Sequence, residues 1–190
     1  MADTGFLFPT ANTNGGTGNN FINPNNMHAD DGVVMTKNSG QAVADADWST
    51  FRISGSSFTD LIPVGSTIDG LELVVEARDN FGDAGWFLNT SLSWNGETNF
   101  TAVKRMPAAG DFTAGAGTAF VVQTVGGPTD KWGRTWTRDE LSDANLIARI
   151  EYSGETFAEF EGDYAKMKVY FTAPAGGGGF LNRNYWWDNY

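Results

Sequence analysis

Residues 165–173 read AKMKVYFTA, and from Lys166 to Phe171 the alternation is unbroken. Met167, Val169 and Phe171 fall on one side of an extended chain, and Lys166, Lys168 and Tyr170 on the other. That is the period-two pattern of a strand with one dry face and one wet face. Seven more stretches have the same character: GVVMTKN (32–38), DWSTFRIS (47–54), STIDGLELVVEARDN (66–80), WFLNTSLSWNG (86–96), NFTAVKRM (99–106), TAFVVQTVG (118–126) and NLIARIEYSG (145–154). Turns rich in Gly, Asn, Asp and Pro separate them, and no helix-length amphipathic segments recur between them, so a parallel α/β sheet is disfavoured. The expected fold is all-β: an antiparallel β-sandwich of the jelly-roll type, in which two packed sheets each bury one face of every strand.

Working outward, residues 1–32 are dominated by Asn, Gly, Thr and Asp and read as an irregular N-terminal segment. Residues 33–174 form the sandwich, and residues 175–190 a glycine-rich tether followed by an aromatic peptide. One short helix is expected in WTRDELSDANL (136–146), where Thr137 and Glu140 have the spacing of a capping box.

The chain has 12 basic and 23 acidic residues, a formal charge of −11 that repels phosphate backbones and argues against nucleic acid as a partner. Without cysteine there is no disulfide framework, thiolate metal site or cysteine nucleophile. No apolar run is long enough to span a bilayer, so no membrane partner is expected, and MADTGFLFPT lacks the basic lead and apolar core of a secretory signal. Synthesis in a cytoplasm is the expectation.

Catalytic chemistry finds little support. His28, the single histidine, sits in the polar loop NNMHADDG with no second histidine to form a relay or zinc site, and reads as a solvated or backbone-bonded side chain. Glu159 and Glu161, with Glu151, Glu155, Asp79 and Asp83 near turns, lack a spacing specific to a glycosidase pair and read as a solvated acidic face. Asp30-Asp31, Asp45 with Asp47, and Asp79 to Asp83 offer oxygens to a hard cation, but none reproduces a defined calcium loop and turn formation explains them. No catalytic residue, metal or cofactor is therefore assigned. Trp86 and Trp94 share one parity of a strand, where they can stack on sugar rings or face the core.

A more specific pattern lies in GGPTDKWGRTWTRDELSDANLIARIEYSG (126–154) and DYAKMKVYFTAP (163–174). It is carried by Gly126, Gly127, Asp130, Trp132, Gly133, Trp136, Thr137 and the run Val169-Tyr170-Phe171-Thr172. Upstream it continues through Asn23, Pro24, Asn25, Asn26, Asp31 and Gly32, then Ile62, Pro63, Gly65, Ile68 and Gly70. Over residues 21 to 174 the chain resembles a β-sandwich family of tailed-bacteriophage virion proteins. Phe21 stands where that family has Trp, and Leu146-Ile147-Ala148 where it has Phe-Gly-Val. The resemblance implies a non-enzymatic structural component of a virion, such as a capsid decoration or a head, tail or fibre subunit, assembled with other virion proteins and with copies of itself. Trp132, Trp136 and Gly70 then read as scaffold, closing one end of the sandwich and allowing close packing.

The last residues, Gly176 to Gly179 followed by FLNRNYWWDNY, extend past that resemblance. A flexible tether joined to an aromatic peptide suits docking, with Phe180, Leu181, Tyr185, Trp186, Trp187 and Tyr190 as partner-binding residues in a groove or against a sheet edge of a neighbouring virion protein. The same residues can instead fold back over an apolar patch of their own domain. A carbohydrate-binding module that recognises a host surface glycan through Trp86 or Trp94 is the competing functional reading.

Overall fold

A computed structural model of the protein describes residues 1–15, 21–37, 48–52, 58–79, 87–106, 119–153 and 160–175. Its strands are β1 (Ala2–Asp3), β2 (Ala11–Gly15), β3 (Phe21–Ile22), β4 (Met35–Lys37), β5 (Trp48–Arg52), β6 (Thr67–Asp79), β7 (Phe87–Ser93), β8 (Lys104–Met106), β9 (Val121–Gly126), β10 (Ile147–Ser153) and β11 (Phe160–Thr172). One sheet has the order β3-β4-β11-β6-β9, with β1 also on β11, and the other β2-β5-β10-β7-β8. All the pairings are antiparallel. Strands β4 to β11 correspond one for one to the eight stretches read from the sequence. Their order, β4-β11-β6-β9 over β5-β10-β7-β8, is the double Greek key of a jelly roll.

The two long strands β6 and β11 pair along most of their length and form the spine of the first sheet. Leu71, Leu73, Val75 and Ala77 of β6 and Ala165, Met167, Val169 and Phe171 of β11 face the core, against Leu88 and Leu92 of β7 and Ala148 and Ile150 of β10. The pairing register shifts between Gly162 and Tyr164, leaving Asp163 as an extra residue. This bulge lets Phe160 and Ala165, an odd number of positions apart, both reach the core.

The leading segment departs from its irregular reading. β1 pairs with the end of β11, β2 with β5 and β3 with β4, and Leu7 bridges Met167 and packs on the core. Open strand edges supplied by distant residues satisfy this backbone, and no local composition signals them.

The helical expectation at 136–146 is corrected to a single 3₁₀ turn, Asp139–Leu141. Glu140 Oε2 accepts from the Thr137 N–H at 2.7 Å, so half of the capping box forms. Its other oxygen is held by Arg134 at 2.6 Å, and the Leu146 N–H returns to the Ser142 carbonyl, closing the turn before an α-helix can propagate. The α-helix in the described chain is instead α1, Phe58–Leu61, whose Phe58 is fully buried. Arg138 donates to the Thr59 and Ile62 carbonyls at its C-terminal end, where such groups lack intrahelical partners.

Candidate functional site

Three local arrangements stand out on this scaffold, and the first is a plug at one end of the sandwich. Gly126 and Gly127 turn the chain out of β9 with positive φ of 85° and 149°, and Trp132 and Gly133 follow at 54° and 77°. The Asp130 carboxylate holds the turn by accepting from the Trp132 N–H at 2.9 Å and from Lys104 Nζ at 2.6 Å. Trp132 swings inward and donates from Nε1 to the Leu71 carbonyl at 3.0 Å, while Trp136 donates to the Lys131 carbonyl at 2.8 Å. Both indoles belong to the core. Burial alone would raise the Asp130 carboxyl, but the Lys104 and Trp132 hydrogen bonds outweigh it and hold the group below its ordinary value. Glu140 follows the same logic: burial opposes ionisation, and Arg134 with Thr137 overcomes it.

The second arrangement decides the fate of Trp94. Its half-buried ring packs against the edge of the core, and the Arg134 guanidinium lies 4.0 Å from its centroid and 4.6 Å from that of Trp136. Glu140 fixes that guanidinium from the side. One face of Trp94 is thus taken by a cation, and the half-buried ring packs on the edge of the plug. Trp86 lies outside the described residues, as do Phe180, Leu181, Tyr185, Trp186, Trp187 and Tyr190.

The third is a carboxylate cluster where the leading segment crosses the β11 bulge. One oxygen each from Asp30, Glu76 and Asp163 lies within 4.8 Å of the others. Asp163 is 3% exposed and accepts from the Gly32 N–H at 3.1 Å. Burial, then a hydrogen bond that the protonated Glu76 donates to the Asp163 carboxylate and the charges of Asp163 and Asp30, push the Glu76 carboxyl upward, against the opposing pull of Lys166. Burial and the same three carboxylates raise the Tyr164 phenol. Three carboxylates this close need a counter-charge, which a proton on Glu76, the Lys166 ammonium or a hard cation can supply. Calcium takes six to eight oxygens at about 2.3–2.6 Å, so these side chains would furnish only part of its shell.

Other acidic residues from the sequence reading have ordinary roles. Asp31 accepts from the Val33 N–H in a turn, Glu161 pairs with Arg78 at 2.6 Å and Glu151 lies 3.5 Å from Arg149. Asp45, Asp47, Asp83, Glu155 and Glu159 lie outside the described residues, and the Asp79 side chain is likewise undescribed. His28 Nε2 meets Asn12 Nδ2 at 2.9 Å, its backbone bridges Tyr164, and burial lowers its pKa. It is a structural histidine.

No family model and no curated protein matches the chain. Among solved structures the chain is similar to TmCBM61 in complex with beta-1,4-galactotriose, with TM-score 0.43, 7% identity, and coverage of 85% of this chain and 89% of that one. It is also similar to the CBM22-1 xylan-binding domain from Paenibacillus barcinonensis Xyn10C, with TM-score 0.34, 12% identity, and coverage of 88% and 98%. A third similarity is to infectious bursal disease virus Gt strain, with TM-score 0.30, 10% identity, and coverage of 73% of this chain and 33% of that one. These neighbours are carbohydrate-binding modules and a virus structure, and at such identities no ligand or role passes from them to this chain.

The sequence reading missed the carboxylate cluster and the Arg134 stack. Asp30 was one of its cation candidates, but Glu76 and Asp163 come from strands far along the chain, and only the bulge at Asp163 turns that carboxylate toward Glu76.

Proposed function

We propose that the protein is a non-enzymatic structural component of a bacteriophage virion, a jelly-roll subunit that decorates the capsid or builds a head, tail or fibre appendage and docks through its aromatic C-terminal peptide. One observation carries this reading: the two motif stretches that resemble the virion family interlock in space. A β-carbon on Gly70 would lie 2.1 Å from the Gly127 carbonyl oxygen, Gly127 N–H and Trp132 Nε1 both reach the Leu71 carbonyl, and Arg138 holds the carbonyl of Ile62. Residues far apart in sequence therefore share one packing solution, as expected when a pattern specifies architecture. The chain end fits a docking role. β11 is an interior strand with β6 on one side and β4 and β1 on the other, and Pro174 leaves it beside Gly65.

The test compares the full-length protein with a chain ending at Pro174 for incorporation into assembled particles, after circular dichroism and melting establish that both fold. Loss of incorporation on truncation supports docking through the peptide, whereas equal incorporation refutes it. The competing glycan-recognition reading rests on Trp86 or Trp94, the latter with one face already against Arg134. Binding to a glycan panel that disappears in Trp86→Ala or Trp94→Ala would favour it.

A further inference from the structure

The described chain ends at Ala175, and the surface around that exit is apolar. Pro174 packs on the turn that precedes β6, where a β-carbon on Gly65 would stand 3.7 Å from Pro174 Cγ. The Ser66 N–H closes that turn on the Pro63 carbonyl at 3.2 Å, with Gly65 at φ 82°, and leaves Val64 at the apex. Val64 is 78% exposed, more than any other large apolar side chain among the described residues, and Leu61 at the end of α1 is 44% exposed. Met1, 69% exposed, stands on the opposite side of β11, one residue beyond the Ala2–Phe171 pair. These three side chains flank the point where the chain leaves the sandwich.

We infer that in the free subunit the patch of Leu61 and Val64 holds the C-terminal peptide Phe180–Tyr190 of its own chain, covering the aromatic side chains until a partner virion protein displaces them. This inference rests on the reading of that peptide as the docking element. An aromatic peptide left in water before assembly is an aggregation hazard, and an apolar surface at its root removes it. Phe180 and Leu181 follow the glycines directly and are the first to meet the patch. Arg183 is the only cation of the peptide, and the exposed Asp60, next to Leu61 in α1, offers it a carboxylate. The contact is small, so a larger partner groove can outcompete it.

The tether selects the same chain over a second copy. Gly176 to Gly179 span about 11 Å as a flexible coil and at most about 14 Å when fully extended. Val64 is the chain neighbour of Gly65, which Pro174 already touches, and Leu61 is one helical turn away, so the whole patch lies within reach of the peptide. A short flexible linker that matches its span gives an effective concentration of the order of millimolar. That exceeds the concentration at which a second copy can compete in dilute solution.

The test is limited trypsin digestion of the full-length chain, with release of Asn184–Tyr190 followed by mass spectrometry. Cleavage after Arg183 reports the fraction of chains whose peptide is undocked. Leu61→Ser combined with Val64→Ser removes the patch at two exposed positions, with melting to confirm an intact fold. Release is then expected to rise roughly tenfold, at every protein concentration, because two apolar anchors are lost. Equal rates in the parent and the variant overturn the inference, and so does protection that weakens on dilution, which would place the peptide on a second copy. Particle incorporation separates this outcome from the docking reading. If the rates are equal and truncation at Pro174 still blocks incorporation, the docking reading survives and only the patch falls. If the parent is protected but truncation changes nothing, the docking reading falls, and with it the inference of a displaceable cover.

Discussion

Gly126 occupies a position that a side chain cannot share. A β-carbon there would stand 2.1 Å from the Leu71 carbonyl oxygen and 2.8 Å from Trp132 Nε1, and φ is already 85°. Gly126→Ala is therefore expected to destabilise the fold by about 2–4 kcal/mol, read by denaturant unfolding, because the Leu71 backbone and the buried Trp132 indole must both move. Trp132→Phe is milder. The Leu71 carbonyl keeps its second donor, the Gly127 N–H, so the loss from the missing indole hydrogen bond is about 1 kcal/mol. The carboxylates make stability depend on pH in two opposed senses. Glu76, whose pKa is raised, destabilises the fold when ionised, so its protonation relieves that strain as pH falls from neutrality toward the unfolded value of about 4.3. Asp130 and Glu140, whose values are depressed, add stability above their unfolded values and lose it as pH falls further through their folded ones. Melting temperature against pH in a chelating buffer should thus rise slightly below neutrality and then drop, and Glu76→Gln should remove the rise. An unchanged profile in that variant would contradict the assignment. At this scale the sequence revealed the glycines and tryptophans of the plug, since their spacing is local. The Arg134–Trp94 stack joins residues 40 positions apart, and nothing in either neighbourhood signals it.

Strands β4 to β11 were legible because each carries its own alternation, and alternation reports a face that must be buried whatever its partner. What escaped the reading depends on partners. β1, β2 and β3 exist through the edges of β11, β5 and β4, and the capping-box residues yielded a 3₁₀ turn because Arg134 recruits Glu140. The start of β11 also escaped, since Gly162 and the bulged Asp163 interrupt the alternation that is regular from Ala165 onward. The leading segment should then contribute measurable stability. Removing residues 1–8 strips β1 and the core contact of Leu7 from β11, and the expected loss in chemical denaturation is about 2–3 kcal/mol, the order of one buried leucine side chain and its strand pairing. A truncated chain with unchanged stability would mean that these contacts are incidental.

At the scale of the molecule, an acidic jelly roll is closed at one end by a tryptophan plug, and its last described strand, β11, lies in the interior of its sheet. These features fit the proposed role of an assembly unit, with the peptide after the glycines as its proposed attachment. The most direct measurement of the central claim is quantitative mass spectrometry of density-purified phage particles from an infected culture. The account predicts that this chain co-purifies with the major virion proteins at a fixed, multiple-copy ratio through successive gradients. Its presence in the lysate but absence from purified particles would contradict the account.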